Sequence, residues 1–335
     1  MKALRLHGAR NLQLHDEPRP VPRLEESLLQ IKAVGICGSD LHWFEEAGIG
    51  DEVLKRPIAL GHEFAGVVES GALSGKRVAI DPAIPCDHCA LCKEGKPNLC
   101  LDLMFAGHGL HDGALRQLII WPDKCLFPLP DAMTYEDGAM LEPLGVALHA
   151  VDLGHLKPGM TVSVHGCGPI GLLILQVAQL SGATKIIATD KLEHRLNAAR
   201  RFGAAEVVRA DDTSAESQEV LKETDYGVDV AFEAAGENPA VVAAINSVKP
   251  GGRVILVGIP ADDRTTFQAS VARRKGATIS LVRRMKHTYP RAIRLVQQGL
   301  IDVRSLVTHR FSLDEFEVAF STARKREGLK VIIKP

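Results

Sequence analysis

Seven cysteines occur in the 335 residues, and four of them, Cys86, Cys89, Cys92 and Cys100, form the run C-x2-C-x2-C-x7-C. Four thiolates at that spacing can wrap one tetrahedral zinc ion and leave no coordination position open, so such a site would be structural. A redox pair or a disulfide staple would use the same residues. Four clustered cysteines in a chain without a secretion signal favour metal over either. His88 lies inside the lobe and could replace one cysteine.

A second set of donors is scattered: Cys37 in Gly35-Ile36-Cys37-Gly38-Ser39-Asp40-Leu41-His42, the run Gly61-His62-Glu63, and Glu142 in Leu141-Glu142-Pro143. Taken singly, each has a plainer reading. A lone cysteine is most often a buried small hydrophobe, and a lone His or Glu a hydrogen-bonded core or surface group. Spacing alone does not bring three distant segments together.

A third pattern is Gly166-Cys167-Gly168-Pro169-Ile170-Gly171, which follows the apolar run Thr161 to Val164 and precedes the helical run Leu172 to Leu180. This is GxGxxG between strand and helix. Gly166 permits a tight turn, Gly168 admits a pyrophosphate to the backbone, and Gly171 allows close helix packing, with the anion over a helix N-terminus. Asp190 follows Gly171 by nineteen residues and ends the next apolar run, where an acid binds ribose hydroxyls. Asp190 could equally cap the helix starting near Lys191, and both roles can hold together. Arg195 and Val257 complete the expected cofactor contacts, and the acid predicts NAD over NADP.

Repeated apolar runs and amphipathic stretches from about Thr161 to Val282 predict the frame for that loop. Six strands are expected: Thr161 to Val164, Lys185 to Thr189, Glu206 to Val208, Val228 to Phe232, Arg253 to Val257 and Thr278 to Val282. They make a doubly wound parallel sheet, a Rossmann domain placed at residues 151–284. Residues 1–150 instead show short β-rich runs, Leu28 to Val34, Phe64 to Glu69, Arg77 to Ile80 and Leu115 to Ile120, separated by turn residues. An antiparallel, barrel-like domain fits them. Residues 285–335, with an amphipathic stretch Pro290 to Gln298 and a strand Lys330 to Ile333, are too few to stand alone and are expected to complete it.

Composition excludes several classes. The formal net charge is −1, with 40 basic and 41 acidic residues, so no basic field collects nucleic acid or anionic lipid. No apolar run approaches the ~20 residues that cross a bilayer, and the charged start Met1-Lys2-Ala3-Leu4-Arg5 lacks a signal peptide's apolar core. A cytoplasmic enzyme is expected.

The stretches GICGSDLHWF (35–44), AGIG (47–50), RPIALGHEFAGVV (56–68), the four-cysteine lobe, EPLGVALHA (142–150), GCGPIG (166–171) and TYPRAI (288–293) resemble, in order and spacing, the zinc-containing medium-chain dehydrogenases. Within that family they are most similar to the sorbitol (polyol) dehydrogenases, over nearly the whole chain. The resemblance implies an α/β protein with a GroES-like catalytic domain and a Rossmann domain, holding two zinc ions and NAD. It implies that Cys37, His62 and Glu63 hold the catalytic zinc, with Glu142 either binding it directly or holding its water. Many alcohol dehydrogenases of the family have a second cysteine where this chain has Glu142, so EPLGVALHA points to the polyol branch. The resemblance further implies proton relay by Ser39 and His42, a substrate pocket of Phe44, Phe105 and Arg283, and a dimer or tetramer. Trp43 and Phe44 could instead be core residues, while Cys125 and Cys167 are assigned to packing. Two departures stand out: Val68 to Gly75 is short, predicting a trimmed hairpin, and Arg284 replaces a usual aromatic residue. Competing readings are a dehydrogenase of threonine, an aldonate or a simple secondary alcohol such as 2,3-butanediol, a zinc-free quinone or enone reductase of the same fold, and a non-catalytic NAD- and zinc-binding protein.

Overall fold

The computed structural model describes residues 1–335. The chain divides into two units, Met1–Glu142 with Lys286–Pro335, and Pro143–Met285. The expected break after residue 150 falls inside the helix Leu141–Gly154. Nothing in EPLGVALHA stops a helix once begun, because its proline sits in the first turn, where a missing N–H costs nothing.

The second unit contains one six-stranded sheet. Its order is Glu206–Arg209, Lys185–Asp190, Thr161–His165, Val228–Glu233, Val248–Leu256, Thr278–Leu281, and every neighbouring pair is parallel. The chain order reverses at Thr161–His165, the switch point outside whose C-terminal end such sheets bind ligands. Val162, Ser163, Val164 and His165 are all fully buried, as expected of a strand covered on both faces. All six predicted strands are present. The fifth begins at Val248, earlier than the predicted Arg253, because Lys249-Pro250-Gly251-Gly252 is absorbed as an irregularity opposite Asp229 and does not end the strand.

The first unit is built on a larger sheet. From one edge it runs Leu126–Pro128, Arg77–Ile80, Glu63–Ser70, Glu26–Gly35, Lys330–Lys334, Val307–Ser312, and Leu118–Pro122 also pairs with Glu26–Gly35. Leu29, Ile31, Phe64, Val78, Ile80, Trp121 and Ile333 converge in its core. The closing strand pairs antiparallel with Glu26–Gly35, Ile332 opposite Gly35. Between Val68 and Gly75 the chain reverses, closed by Gly75 N–H to Val68 O at 2.8 Å. No helix is long and apolar enough to cross a membrane.

Tyr289 ties the tail to this sheet. It is 2% exposed, its ring stacks on Phe127 at 4.7 Å, and its hydroxyl donates to the Ile80 carbonyl at 2.7 Å. Tyr289→Phe keeps the stacking and removes one buried hydrogen bond, so it should lower stability by about 1–2 kcal/mol. Urea unfolding measures this; an unchanged midpoint would show that the bond contributes nothing.

Candidate active site

The four-cysteine lobe closes on itself through backbone amides. Cys86 N–H points to Cys100 Sγ at 3.3 Å, Cys89 N–H to Cys86 Sγ at 3.4 Å and Cys92 N–H to Cys89 Sγ at 3.4 Å. All four sulfurs lie within 4.8 Å of one another. The Cys92 amide pulls the Cys89 thiol down to about 7, the direction that favours the thiolate a metal needs. His88 is exposed and gives its Nδ1 to the Cys86 carbonyl at 2.7 Å, outside the four-sulfur set. The donor set fits zinc, and all seven cysteines are free thiols.

The scattered donors meet in the first unit. Cys37 stands at the N-cap of the helix Gly38–Glu46, and His62 and Glu63 stand at the start of the strand Glu63–Ser70. One ligand atom of each lies within 4.8 Å of the other two. Asp40 fixes this arrangement: its Oδ2 accepts from Cys37 N–H at 2.9 Å, its Oδ1 accepts from Gly61 N–H at 3.1 Å, and Oδ1 lies 3.5 Å from His62 Nδ1. Burial opposes a charge on Asp40, yet His62, then the Cys37 amide and His108, hold its carboxyl below the usual range. Burial likewise opposes protonation of His62, but Asp40 and then Cys37 outweigh it and hold the ring well above its usual pKa. That pull toward positive charge is what a metal cation satisfies.

Glu63 is held from behind. Its Oε2 pairs with Lys330 Nζ, and the two side chains are 1% and 4% exposed. Gly35 leaves room for the pair, since a Cβ there would sit 2.0 Å from Glu63 Oε2 and 2.9 Å from Lys330 Cε. The carboxylate of Glu142 lies outside the three-ligand set, buried in the first turn of Leu141–Gly154. Desolvation is the main cause that lifts its pKa to about 7; His62 opposes the shift and Glu63 adds to it.

Ser39 is buried with its hydroxyl 3.5 Å from His62 Nε2, and His42 follows one turn on, its Nδ1 4.0 Å from Glu46 Oε1. Phe105 turns its ring to His62 at 5.3 Å. Phe44, expected beside it, packs on Phe320 at 5.1 Å against the core, and Trp43 is fully buried there. Of the adjacent aromatic pair, Trp43 lies within the core and the half-buried Phe44 packs against it. Arg283 is exposed and follows the strand Thr278–Leu281 of the other unit. Three residues of this neighbourhood escaped the sequence: Asp40, Lys330 and His108, whose ring lies 5.0 Å from Phe105 and 5.5 Å from His62. Only Asp40 left a signal, since Cys37-x-x-Asp40 has the spacing of a capping box.

In the second unit the glycine loop has the form its residues require. Gly166 takes φ +97°, and a Cβ on Gly171 would sit 1.8 Å from Gly166 O. Gly168, the N-cap of Pro169–Leu180, meets nothing closer than Arg195 Nη1 at 3.6 Å. Gly168, Pro169 and Ile170 are part-exposed between buried neighbours. This is open space at a helix N-terminus beside a guanidinium, and it fits a pyrophosphate. Asp190 is 7% exposed; its Oδ2 accepts from Cys167 N–H at 2.7 Å and its Oδ1 from Leu192 N–H at 2.8 Å. Arg195 Nη1 is 4.0 Å from Asp190 Oδ2, and Lys191 pairs with Glu237. Val257 is placed by its N–H to Glu233 O at 2.8 Å. Cys125 and Cys167 are buried, and burial pushes the Cys125 thiol up to about 12.

Both units have counterparts among known proteins. Residues 23–131 match the alcohol dehydrogenase GroES-like domain, and residues 169–298 match the zinc-binding dehydrogenase family. A sorbitol dehydrogenase of Bacillus subtilis strain 168 is 36% identical, covering 100% of this chain and 97% of its own. An L-idonate 5-dehydrogenase of Vitis vinifera is 35% identical over 91% of this chain and 86% of its own. A solved structure from Sinorhizobium meliloti 1021, bound to NADP, superposes with a TM-score of 0.90 at 30% identity, covering 100% and 99% of the two chains. With a GroES-like unit carrying the zinc donors and a Rossmann unit carrying the dinucleotide loop, the chain belongs to the zinc-binding medium-chain dehydrogenase family and is a zinc-dependent, NAD(P)-linked oxidoreductase.

Proposed function

We propose that the chain oxidises a secondary hydroxyl of a polyol such as sorbitol, xylitol or galactitol, with NAD as acceptor. The observation that carries this reading is the open three-ligand set Cys37, His62, Glu63 with a buried carboxyl, Glu142, close by. Zinc, when bound there, supplies a Lewis acid that eases loss of the alcohol proton, and NAD accepts the hydride. Cys37, His62 and Glu63 hold the metal, Asp40 orients His62, and Lys330 holds Glu63. Ser39, at its 3.5 Å contact with His62, takes the alcohol proton, and His42 on the same helix face passes it to water. Phe105 excludes water beside His62, while Glu142 accepts hydrogen bonds from hydroxyls. The full-length similarity to a sorbitol dehydrogenase supports this substrate class.

One second reading has a specific basis. The similarity to an L-idonate 5-dehydrogenase, with adjacent Arg283 and Arg284, favours an aldonate, whose carboxylate an arginine would pair. Free thiols support a reducing, cytosolic setting. A homo-oligomer, dimer or tetramer, is supported by the sheet edge Thr278–Leu281, where Leu281 is 72% exposed.

Steady-state rates with NAD over C4 to C6 polyols, 2,3-butanediol, threonine and L-idonate test the substrate. The polyols should give the highest kcat/KM; a leading rate on L-idonate would make the aldonate reading the right one. Metal analysis should find two zinc ions per chain. Cys37→Ser should lose one zinc with turnover and keep the fold, whereas Cys89→Ser should lose the other with stability. A single zinc unaffected by Cys37→Ser would refute the two-site arrangement.

NAD should be preferred over NADP, because a 2′-phosphate would meet the Asp190 carboxylate. Two unit charges about 4 Å apart repel by roughly 4 kcal/mol at an effective dielectric near 20, before screening. Lys191 is engaged by Glu237, whereas Arg195 Nη1, 4.0 Å from Asp190 Oδ2, offsets part of the repulsion. The ratio of kcat/KM for the two cofactors should fall at least about tenfold in Asp190→Ser. A parent enzyme indifferent to the phosphate would show that Asp190 serves only as a turn and loop anchor.

A further inference from the structure

The second unit buries a polar chain that hydride transfer does not use. Ser163 and His165 lie on Thr161–His165, Thr189 on Lys185–Asp190, and Glu216 in the first turn of the ten-residue helix Thr213–Lys222. Exposure is 0% for Ser163 and His165, 1% for Thr189 and 4% for Glu216. Thr189 Oγ1 donates to Glu216 Oε1 at 2.5 Å, and His165 Nδ1 lies 2.7 Å from the same oxygen. A carboxylate oxygen accepts here, so Nδ1 carries its hydrogen. In the neutral ring Nε2 then accepts from the Ser163 hydroxyl, 3.0 Å away.

Such a chain contributes little net stability, because desolvation offsets its attractions and apolar side chains of similar volume do as well or better. What apolar packing lacks is direction, and a fully satisfied polar network fixes one geometry. The parts fixed are the ends of two adjacent strands. His165 precedes Gly166, Thr189 precedes Asp190, Gly166 N–H bonds Thr189 O at 2.8 Å, and Cys167 N–H bonds Asp190 Oδ2 at 2.7 Å. Successive strand residues project to opposite faces, so Glu216 grips Thr189 on one face while Asp190 turns to the loop on the other. Glu216 also sits where the helix N-terminus favours a carboxylate.

We propose that Glu216 is a positioning residue for the cofactor. Through Thr189 and His165 it sets the separation between the Gly166 turn and Asp190, and with it the discrimination between a ribose bearing a free 2′-hydroxyl and one bearing a 2′-phosphate. The inference rests on the reading of Asp190 as the ribose carboxylate.

The test uses the full-length enzyme and three variants: Glu216→Gln, Thr189→Val, and the apolar double variant His165→Leu with Glu216→Leu. Thermal midpoint, kcat and KM with NAD and NADP, and ADP-ribose affinity by calorimetry are compared. In the double variant the midpoint should fall by several degrees, because the buried Ser163 and Thr189 hydroxyls lose their partners. The NAD-to-NADP ratio of kcat/KM should fall roughly five- to tenfold, and ADP-ribose should bind more weakly by a similar factor. The loss should appear in KM for NAD, with kcat at saturating NAD within about twofold. Glu216→Gln keeps an acceptor oxygen and should stay near the parent; Thr189→Val, nearly isosteric, should show a partial loss even if the double variant does not fold. Unchanged ADP-ribose affinity in Thr189→Val and the double variant overturns the proposal, as does a loss that only tracks the thermal midpoint. A parent without cofactor preference instead refutes the Asp190 reading, and ADP-ribose affinity still decides whether Glu216 positions the loop.

Discussion

The buried Glu63–Lys330 pair is the constraint around which the metal-site unit is arranged. A carboxylate at 1% exposure needs compensation, and the chain supplies it from its last strand. The closing strand therefore does more than complete a sheet. Removing it would leave Glu63 buried without its ammonium partner, next to Cys37 and His62. Gly35 is the geometric condition for the arrangement, since any side chain there would occupy the space of the carboxylate and of the lysine stem.

Counting charges explains why such a cavity should take a cation. Three carboxyl groups, Asp40, Glu63 and Glu142, gather about one ammonium, Lys330, with the His62 and His108 rings as the other groups able to carry positive charge. Low dielectric makes that excess costly, and two of the groups show it. Desolvation lifts the Glu142 carboxyl to about 7, and the Lys330 ammonium, although burial disfavours its charge, is held above its usual range by Glu63 and then Cys37. A divalent ion among the three ligand atoms would cancel the excess where it is greatest. The four-cysteine lobe reaches the same end by another route, with backbone amides aimed at the sulfurs in a closed set that leaves nothing for a substrate.

How much of this was readable in advance depended on how local each determinant is. The dinucleotide loop, its flanking strand and helix, and Asp190 lie within one short stretch, and all six strands of that unit were legible from apolar runs. The four-cysteine lobe was legible for the same reason. The Cys37, His62, Glu63 grouping was carried by resemblance, because no periodicity states that a helix N-cap and a strand start meet. Lys330 was invisible, as one lysine in a short strand carries no mark of its partner. The packing of Phe44 on Phe320 was not legible, because an aromatic residue next to a metal-loop cysteine carries no mark of its partner. The strand before Gly251 was read short because Pro and Gly signal a break, whereas a sheet covered on both faces can tolerate an irregularity.

Two carboxylates near His62 show how environment divides roles among identical groups. Asp40 accepts from two amides, lies against the imidazole and is held in its charged form, so it is suited to orient and unsuited to exchange protons. Glu142 is as deeply buried but has desolvation as its dominant influence, which brings its pKa to about 7. A carboxyl in that condition can accept or donate a hydrogen bond to a hydroxyl at little cost in either direction. A carboxyl set back from the three possible ligands would leave the fourth position of a tetrahedral ion there to a substrate oxygen.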